Sequence, residues 1–163
     1  MFYRISLLII VLNLSLFAKN PVSNIKLEKS VFEEQIAIDT LGIKSRKLIP
    51  ILIGTTLQRG AILLYVNQIT NTSLNLRKEE IVVVTPIPFK TSYLMGSASC
   101  EGSCQIKFSI DGGKSFDYGE NLYVVYGKGK RVAMGSEYTH IQFIFASLSP
   151  LSQTKMAFKS RLK

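Results

Sequence analysis

Residues 61–70, Ala-Ile-Leu-Leu-Tyr-Val-Asn-Gln-Ile-Thr, decide the fold class of this chain. In an extended segment Ile62, Leu64 and Val66 share one face, and Leu63, Tyr65 and Asn67 share the other. Gln58-Arg59-Gly60 ahead of the run and Asn71-Thr72-Ser73 behind it are turn formers. The segment therefore reads as a strand, and its neighbours follow the same grammar.

Downstream, residues 81–85 (IVVVT) form a continuous β-branched run, expected as a central strand buried on both faces. Pro86-Ile87-Pro88 stops it, because neither proline can donate to a ladder. Residues 91–94 resume the extended pattern, and 96–104 form a loop. Residues 105–110 alternate Ile106, Phe108 and Ile110 on one face. Asp111-Gly112-Gly113 is a reversal of the kind that accepts φ > 0. Residues 122–126 (LYVVY) make another strand, ended by Gly127-Lys128-Gly129. Residues 140–146 (HIQFIFA) place Ile141, Phe143 and Phe145 together, and Ser149-Pro150 breaks the chain before a last strand over 155–162. Upstream, residues 23–28 (SNIKLE) and 31–39 (VFEEQIAID) are separate short strands, with a helical turn left open at Glu33-Glu34-Gln35. Residues 44–52 give one more, which Pro50 marks as an edge or a bend. Short strands separated by turns about every ten residues, without helices, indicate an all-β antiparallel sandwich or barrel. The facing apolar rows favour a two-sheet immunoglobulin-like β-sandwich.

The ends of the sequence add an address. Residues 1–18 (MFYRISLLIIVLNLSLFA) carry Arg4, then an apolar run from Ile5 to Phe17, then Ala18 before Lys19-Asn20-Pro21. This is the layout of a secretory signal-peptide helix cut between Ala18 and Lys19, although Leu16 is large for the −3 position. The run is shorter than the ~20 residues a spanning helix needs, so a permanent anchor is the weaker reading. One domain over residues 19–163 follows, with no linker tract and no internal repeat. With 47% apolar and 19% charged residues, the chain is not disordered in composition.

The net charge of +9 admits anionic partners: phospholipid head groups, lipopolysaccharide, teichoic acids or nucleic acid. The cations are scattered, with mild clusters at Lys128-Gly129-Lys130-Arg131 and over 155–163, so general solubility charge is the preferred reading. Nucleic acid is excluded as a partner by the exported address and the lack of any zinc-finger or aromatic RNA-binding signature. Cys100 and Cys104, in SASCEGSCQ, read as a local disulfide across Glu101-Gly102-Ser103 in an exported protein. A zinc site would need two further ligands, and His140 is the only histidine.

Three stretches also carry a resemblance. They are residues 60–71 with 81–88 and 91–97, residues 108–116 (FSIDGGKSF), and residues 137–143 (EYTHIQF). In their order they resemble the bacterial and archaeal surface-protein module called domain of unknown function 11, the conserved repeat domain, in its single-copy exported form, over about residues 31–163. The chain departs from that pattern at Gln58-Arg59-Gly60 and in having no tryptophan near Gln142-Phe143. The resemblance implies an immunoglobulin-like sandwich at the cell exterior and transfers no catalytic residues. Residues 109–116 are also similar to an Asp-box hairpin. There Ser109, Asp111, Gly112 and Gly113 read as a structural turn, with calcium or carbohydrate binding through Asp111, Asp117 and Glu120 as the alternative.

Nothing in the chain sets up a nucleophile. His140 has no Gly-x-Ser-x-Gly partner and reads as a strand-end histidine bonded to backbone. Glu33-Glu34 fall on opposite faces of a strand, and Glu79-Glu80 read as a solvated turn. Most of Tyr93, Tyr118, Tyr123, Tyr126 and Tyr138 are expected in core and strand-pair contacts. The expectation is an exported, periplasmic or extracellular, non-enzymatic envelope module without cofactor or metal. It would be structural or would bind an envelope protein or glycan. The alternative is a basic binder of anionic lipids or polysaccharides.

Overall fold

A computed structural model describes residues 24–163; the expected leader over 1–18 and the expected cleavage between Ala18 and Lys19 lie outside the described residues. The chain is all-β, and every strand pairing is antiparallel. Its strands are β1 (Ile25–Ile38), β2 (Lys44–Pro50), β3 (Ile62–Asn71), β4 (Lys78–Pro86), β5 (Thr91–Tyr93), β6 (Ser99–Cys100), β7 (Gln105–Ser109), β8 (Tyr123–Tyr126), β9 (Gly129–Val132), β10 (His140–Leu148) and β11 (Gln153–Leu162). The larger sheet runs β2-β1-β3-β11-β5, with β6 also paired to β11; the smaller runs β4-β10-β7; β8 and β9 form a separate hairpin.

β3 is internal to the larger sheet, with β1 on one side and β11 on the other. Its odd-numbered residues point inward, where Leu63, Asn67 and Ile69 are buried beside Met156 and Phe158 of β11. Ile141, Phe143 and Phe145 of β10 and Val83 of β4 join Ile69, Met156 and Phe158 in one core cluster. Tyr65 stacks on Phe158 with ring centroids 4.8 Å apart. Burying a side chain such as Phe143 or Phe158 completely contributes about 1.5–3 kcal/mol. One apolar cluster, drawn from the larger and the smaller sheet and from the loops that carry Ile87, Leu122, Ala133 and Tyr138, is thus the core of the fold.

Three differences from the sequence reading have physical causes. In place of the two strands expected over 23–28 and 31–39 there is one 14-residue strand, Ile25–Ile38, and Glu33-Glu34-Gln35 is extended within it. β3 pairs with its first ten residues and β2 with its last seven, so the ladder carries the chain through the polar interruption. The IVVVT run is not central. β4 is an edge of the smaller sheet, with Val83 buried at 8% exposure and Val82 and Val84 open at 46% and 44%. The central strand of that sheet is β10, which pairs with β4 on one side and β7 on the other. β9 was not anticipated, because Lys130 and Arg131 interrupt any apolar alternation.

Candidate functional site

The two sheets are unequal, and this exposes a face. Directly opposed residues in an antiparallel pair lie on the same side of the sheet. The register therefore groups Phe32, Ile36 and Ile38 of β1 with Leu48 of β2 and with Ile62, Leu64 and Val66 of β3, on the side away from the smaller sheet. Ile36 and Ile38 are 68% and 63% exposed, and Leu41 and Ile43 at the β1–β2 turn are open as well. Asp39 shapes that turn by accepting from the Leu41 and Ile43 amides at 2.9 and 2.8 Å.

Cations frame the same face. Lys44 and Arg46 oppose Ile38 and Ile36, and Lys159 and Arg161 oppose Leu64 and Ile62. Lys26 and Lys155 complete six cations, against the carboxylates of Glu28, Glu34 and Glu101, the last of which lies 3.9 Å from Lys155. Glu34 lies low among apolar neighbours, bridged to Lys159 and, at 3.6 Å, to Arg46. Glu28 pairs with Lys26 at 2.9 Å. In sequence the same cations are far apart; the run over 155–163 becomes a row because alternate residues of β11 face one way. Sequence reasoning missed the patch for that reason.

Residues 109–116 form a closed loop tied to Asp117 by a two-bond bridge, Phe108 N–H to Asp117 O at 2.8 Å and the reverse at 3.0 Å. Asp111 Oδ1 accepts from Ser109 Oγ at 2.7 Å and from the amides of Lys114 and Ser115; its Oδ2 accepts from Ser115 Oγ at 2.6 Å. The Ser115 hydroxyl above all, then that of Ser109, hold the Asp111 carboxyl well below the usual carboxylate range. Buried Ser109 accepts in turn from Gly113 N at 2.9 Å. Gly113 has φ +85° and lies against the His140 ring, where a Cβ would sit 3.3 Å from it. Both features call for glycine.

The remaining singled-out residues do not converge. His140 opens β10, and its Nδ1 meets the Thr139 hydroxyl at 3.2 Å instead of the backbone group expected. Asp117 is taken by Tyr118 N at 2.7 Å and Asn121 Nδ2 at 3.1 Å. Glu137 holds Arg131 through two bonds of 2.7 and 2.8 Å, and that guanidinium, with the Met134 amide, lowers its carboxyl to about 2. Glu79 lies inside β4, not in a solvated turn, and pairs with Arg77 at 3.2 Å. Among the described residues no group of three or more His, Cys, Asp or Glu is placed to hold a metal ion. Tyr93 and Tyr138 are core residues, whereas Tyr118, Tyr123 and Tyr126 are exposed, the last two on the β8–β9 hairpin, whose Val124 packs against the core.

Cys100 and Cys104 are joined in a disulfide, Cα atoms 6.4 Å apart, at the β6 edge of the larger sheet. A disulfide suits an oxidising compartment. No helix among the described residues is long and apolar enough to cross a membrane. Neither a protein-family model, nor a curated protein, nor a solved structure matches this chain.

Proposed function

We propose that this chain is an exported, non-enzymatic module of the bacterial cell envelope, an immunoglobulin-like sandwich similar to domain of unknown function 11, which acts by binding an anionic lipid or polysaccharide surface. The observation that carries the reading is the outer face of the larger sheet, apolar at its centre and framed by six cations against three carboxylates. Such a face gains from apolar contact and from attraction to anionic groups together. It also repels a second copy of itself. The facing antiparallel sheets, with chain crossings from β3 to β4 and from β10 to β11, support the immunoglobulin-like assignment, and the disulfide supports a periplasmic or extracellular site of action.

Co-sedimentation with anionic vesicles, zwitterionic vesicles and lipopolysaccharide tests this and separates the two sources. Binding to an anionic partner is expected to weaken steeply with salt. At about 1 kcal/mol per surface cation, replacing Lys44 and Arg46 by glutamine together lowers affinity about thirty-fold. Absent or salt-independent binding removes the reading. A second reading, a protein partner added as a strand, is favoured by β2, whose only partner is β1. Crosslinking at β2 that recovers an envelope protein, with no vesicle binding, would put it first.

A further inference from the structure

A separate crevice of about 480 Å³ opens between the β5–β6 edge of the larger sheet and the β7 edge of the smaller one. Its floor is aromatic. Tyr93, Phe108 and Tyr138 form a triad with centroids 4.7, 5.2 and 5.7 Å apart. Met95, Ile106 and Val132 add apolar wall, and the short turn at Gly119–Asn121 closes one end. The size and lining suit a small organic molecule.

One polar group in this wall is unspent. Tyr138 is 4% exposed, and its hydroxyl is buried without a hydrogen-bond partner. Tyr93, its neighbour, uses its own hydroxyl oxygen to accept from the Ala98 amide at 3.1 Å. The Tyr138 oxygen lies against Gly119, a residue of the crevice lining, so closely that a Cβ there would come within 2.6 Å of it. A side chain at 119 would therefore have to displace that hydroxyl. Leaving a buried donor unpaired costs about 1–3 kcal/mol, which a hydrogen-bond acceptor in the crevice would recover. Burial raises the Tyr138 phenol, and Tyr93 and Glu120 raise it further, so it keeps its proton throughout the physiological range. Glu120 also lines the crevice and disfavours an anion there.

We propose that this crevice binds a neutral, planar aromatic molecule carrying one hydrogen-bond-accepting oxygen, with the ring on the Tyr93–Phe108–Tyr138 floor and the oxygen on the Tyr138 hydroxyl. Aromatic ketones are the simplest members of the class. The site is distinct from the outer face of the larger sheet and does not depend on it.

The test uses acetophenone, its isostere α-methylstyrene, in which CH₂ replaces the carbonyl oxygen, and benzoate. Each is titrated into the isotopically labelled protein, and the methyl resonances of Met95, Ala98, Ile106 and Val132 are followed. Saturable shifts with acetophenone are expected, with affinity about fivefold tighter than for α-methylstyrene, as one net hydrogen bond gives. Benzoate should bind at least tenfold more weakly than acetophenone. Tyr138→Phe should bind both neutral probes equally, at the α-methylstyrene level. Gly119→Ala, which must displace the hydroxyl, should lose the same preference; dispersed amide resonances verify that each variant is folded. No saturable shift with either neutral probe overturns the proposal. So does equal affinity in the parent protein, which would mean that water alone serves the hydroxyl, and so does a ketone preference that survives in Tyr138→Phe.

Discussion

Asn71 offers the sharpest check on how the sheets are locked together. It ends β3 with its side chain fully buried. The amide Nδ2 donates to Leu76 O at 2.8 Å and to Leu148 O and Ser149 O, each at 3.1 Å, so both protons are shared among three carbonyls. Oδ1 accepts from Ser73 N at 3.0 Å. One side chain thus joins the end of β3, the following loop and the turn between β10 and β11. Asn71→Asp keeps the shape and the Ser73 bond but turns both donors into an acceptor. At about 2 kcal/mol for each buried bond lost, the cost is about 4 kcal/mol at neutral pH before the charge itself is counted. That is a large part of the ~5–15 kcal/mol that stabilises an ordinary domain. Facing three carbonyls and no cation, the new carboxyl has a raised pKa in the folded state. The variant should therefore regain stability as pH falls from neutral towards about 5, because the folded state binds the proton more tightly than the unfolded chain. Asn71→Ala loses the same donors and the Ser73 bond without gaining a charge, so it should be destabilised by about 4–5 kcal/mol and show no such recovery. Urea unfolding followed by circular dichroism across pH measures all three proteins. An aspartate variant within about 1 kcal/mol of the parent at neutral pH, or one without acid recovery, would refute the account.

Glu34→Gln frees Arg46 and Lys159 on the outer face, and should tighten binding to anionic vesicles about fivefold, the worth of one added positive charge; unchanged binding would place that face outside the contact. Replacing Cys100 and Cys104 together by serine should lower the melting temperature by about 6 °C and keep the fold, since so small a loop contributes about 2 kcal/mol. Val83→Thr buries a hydroxyl and should cost about 1–2 kcal/mol in denaturant unfolding, whereas Val84→Thr should stay within about 0.5 kcal/mol of the parent. The Asp111 and Glu137 carboxyls are both held low in the folded protein. What each adds is complete above the ordinary carboxylate pKa and is lost as pH falls from there towards its own lower value, about 2 for Glu137. Protection factors for amide exchange at Lys114, Ser115 and Met134, each taken against the intrinsic rate at the same pH, should hold down to the ordinary carboxylate range and fall below it, and Asp111→Ala should lower the first two above that range.

What the sequence discloses here follows from which interactions are local. The alternation in residues 140–146 puts Ile141, Phe143 and Phe145 in the core, and the glycines at 112 and 113 have φ of +79° and +85°. Both properties belong to a few adjacent residues. The status of IVVVT does not: whether a β-branched run is central or at an edge depends on how many strands flank it, and β4 has one neighbour. β1 looked broken at Lys29-Ser30 because its continuity comes from β3, whose residues lie more than thirty positions away. The outer face was illegible for the same reason. Lys44, Arg46, Lys159 and Arg161 become neighbours only through pairing across β1, β3 and β11. The unpaired Tyr138 hydroxyl is likewise a property of packing.

The apolar outer face bears on the proposed function because the core between the antiparallel sheets has no structural need of it. One apolar face per sheet suffices to build the core, and the other is free to be polar. β4 keeps Val82 and Val84 half open on its outer side, but with a three-strand sheet the surface involved is small. On the larger sheet Ile62, Leu64 and Val66 extend an outward apolar row across β3 and continue it through Phe32 to Ile36 and Leu48. Long cationic side chains are the cross-strand neighbours of that row, Lys159 beside Leu64 and Arg161 beside Ile62. Their methylene stems are suited to lie over apolar surface while the charged heads stay in water. On the reading proposed above, the same side chains serve two states of the molecule. In the free protein Glu34 holds Lys159 and Arg46. Against an anionic surface their charged heads would find new partners and leave the row to make contact. Polar residues at 62, 64 and 66 would suit the free protein equally well, so an apolar row with a cationic border supports the proposed docked state.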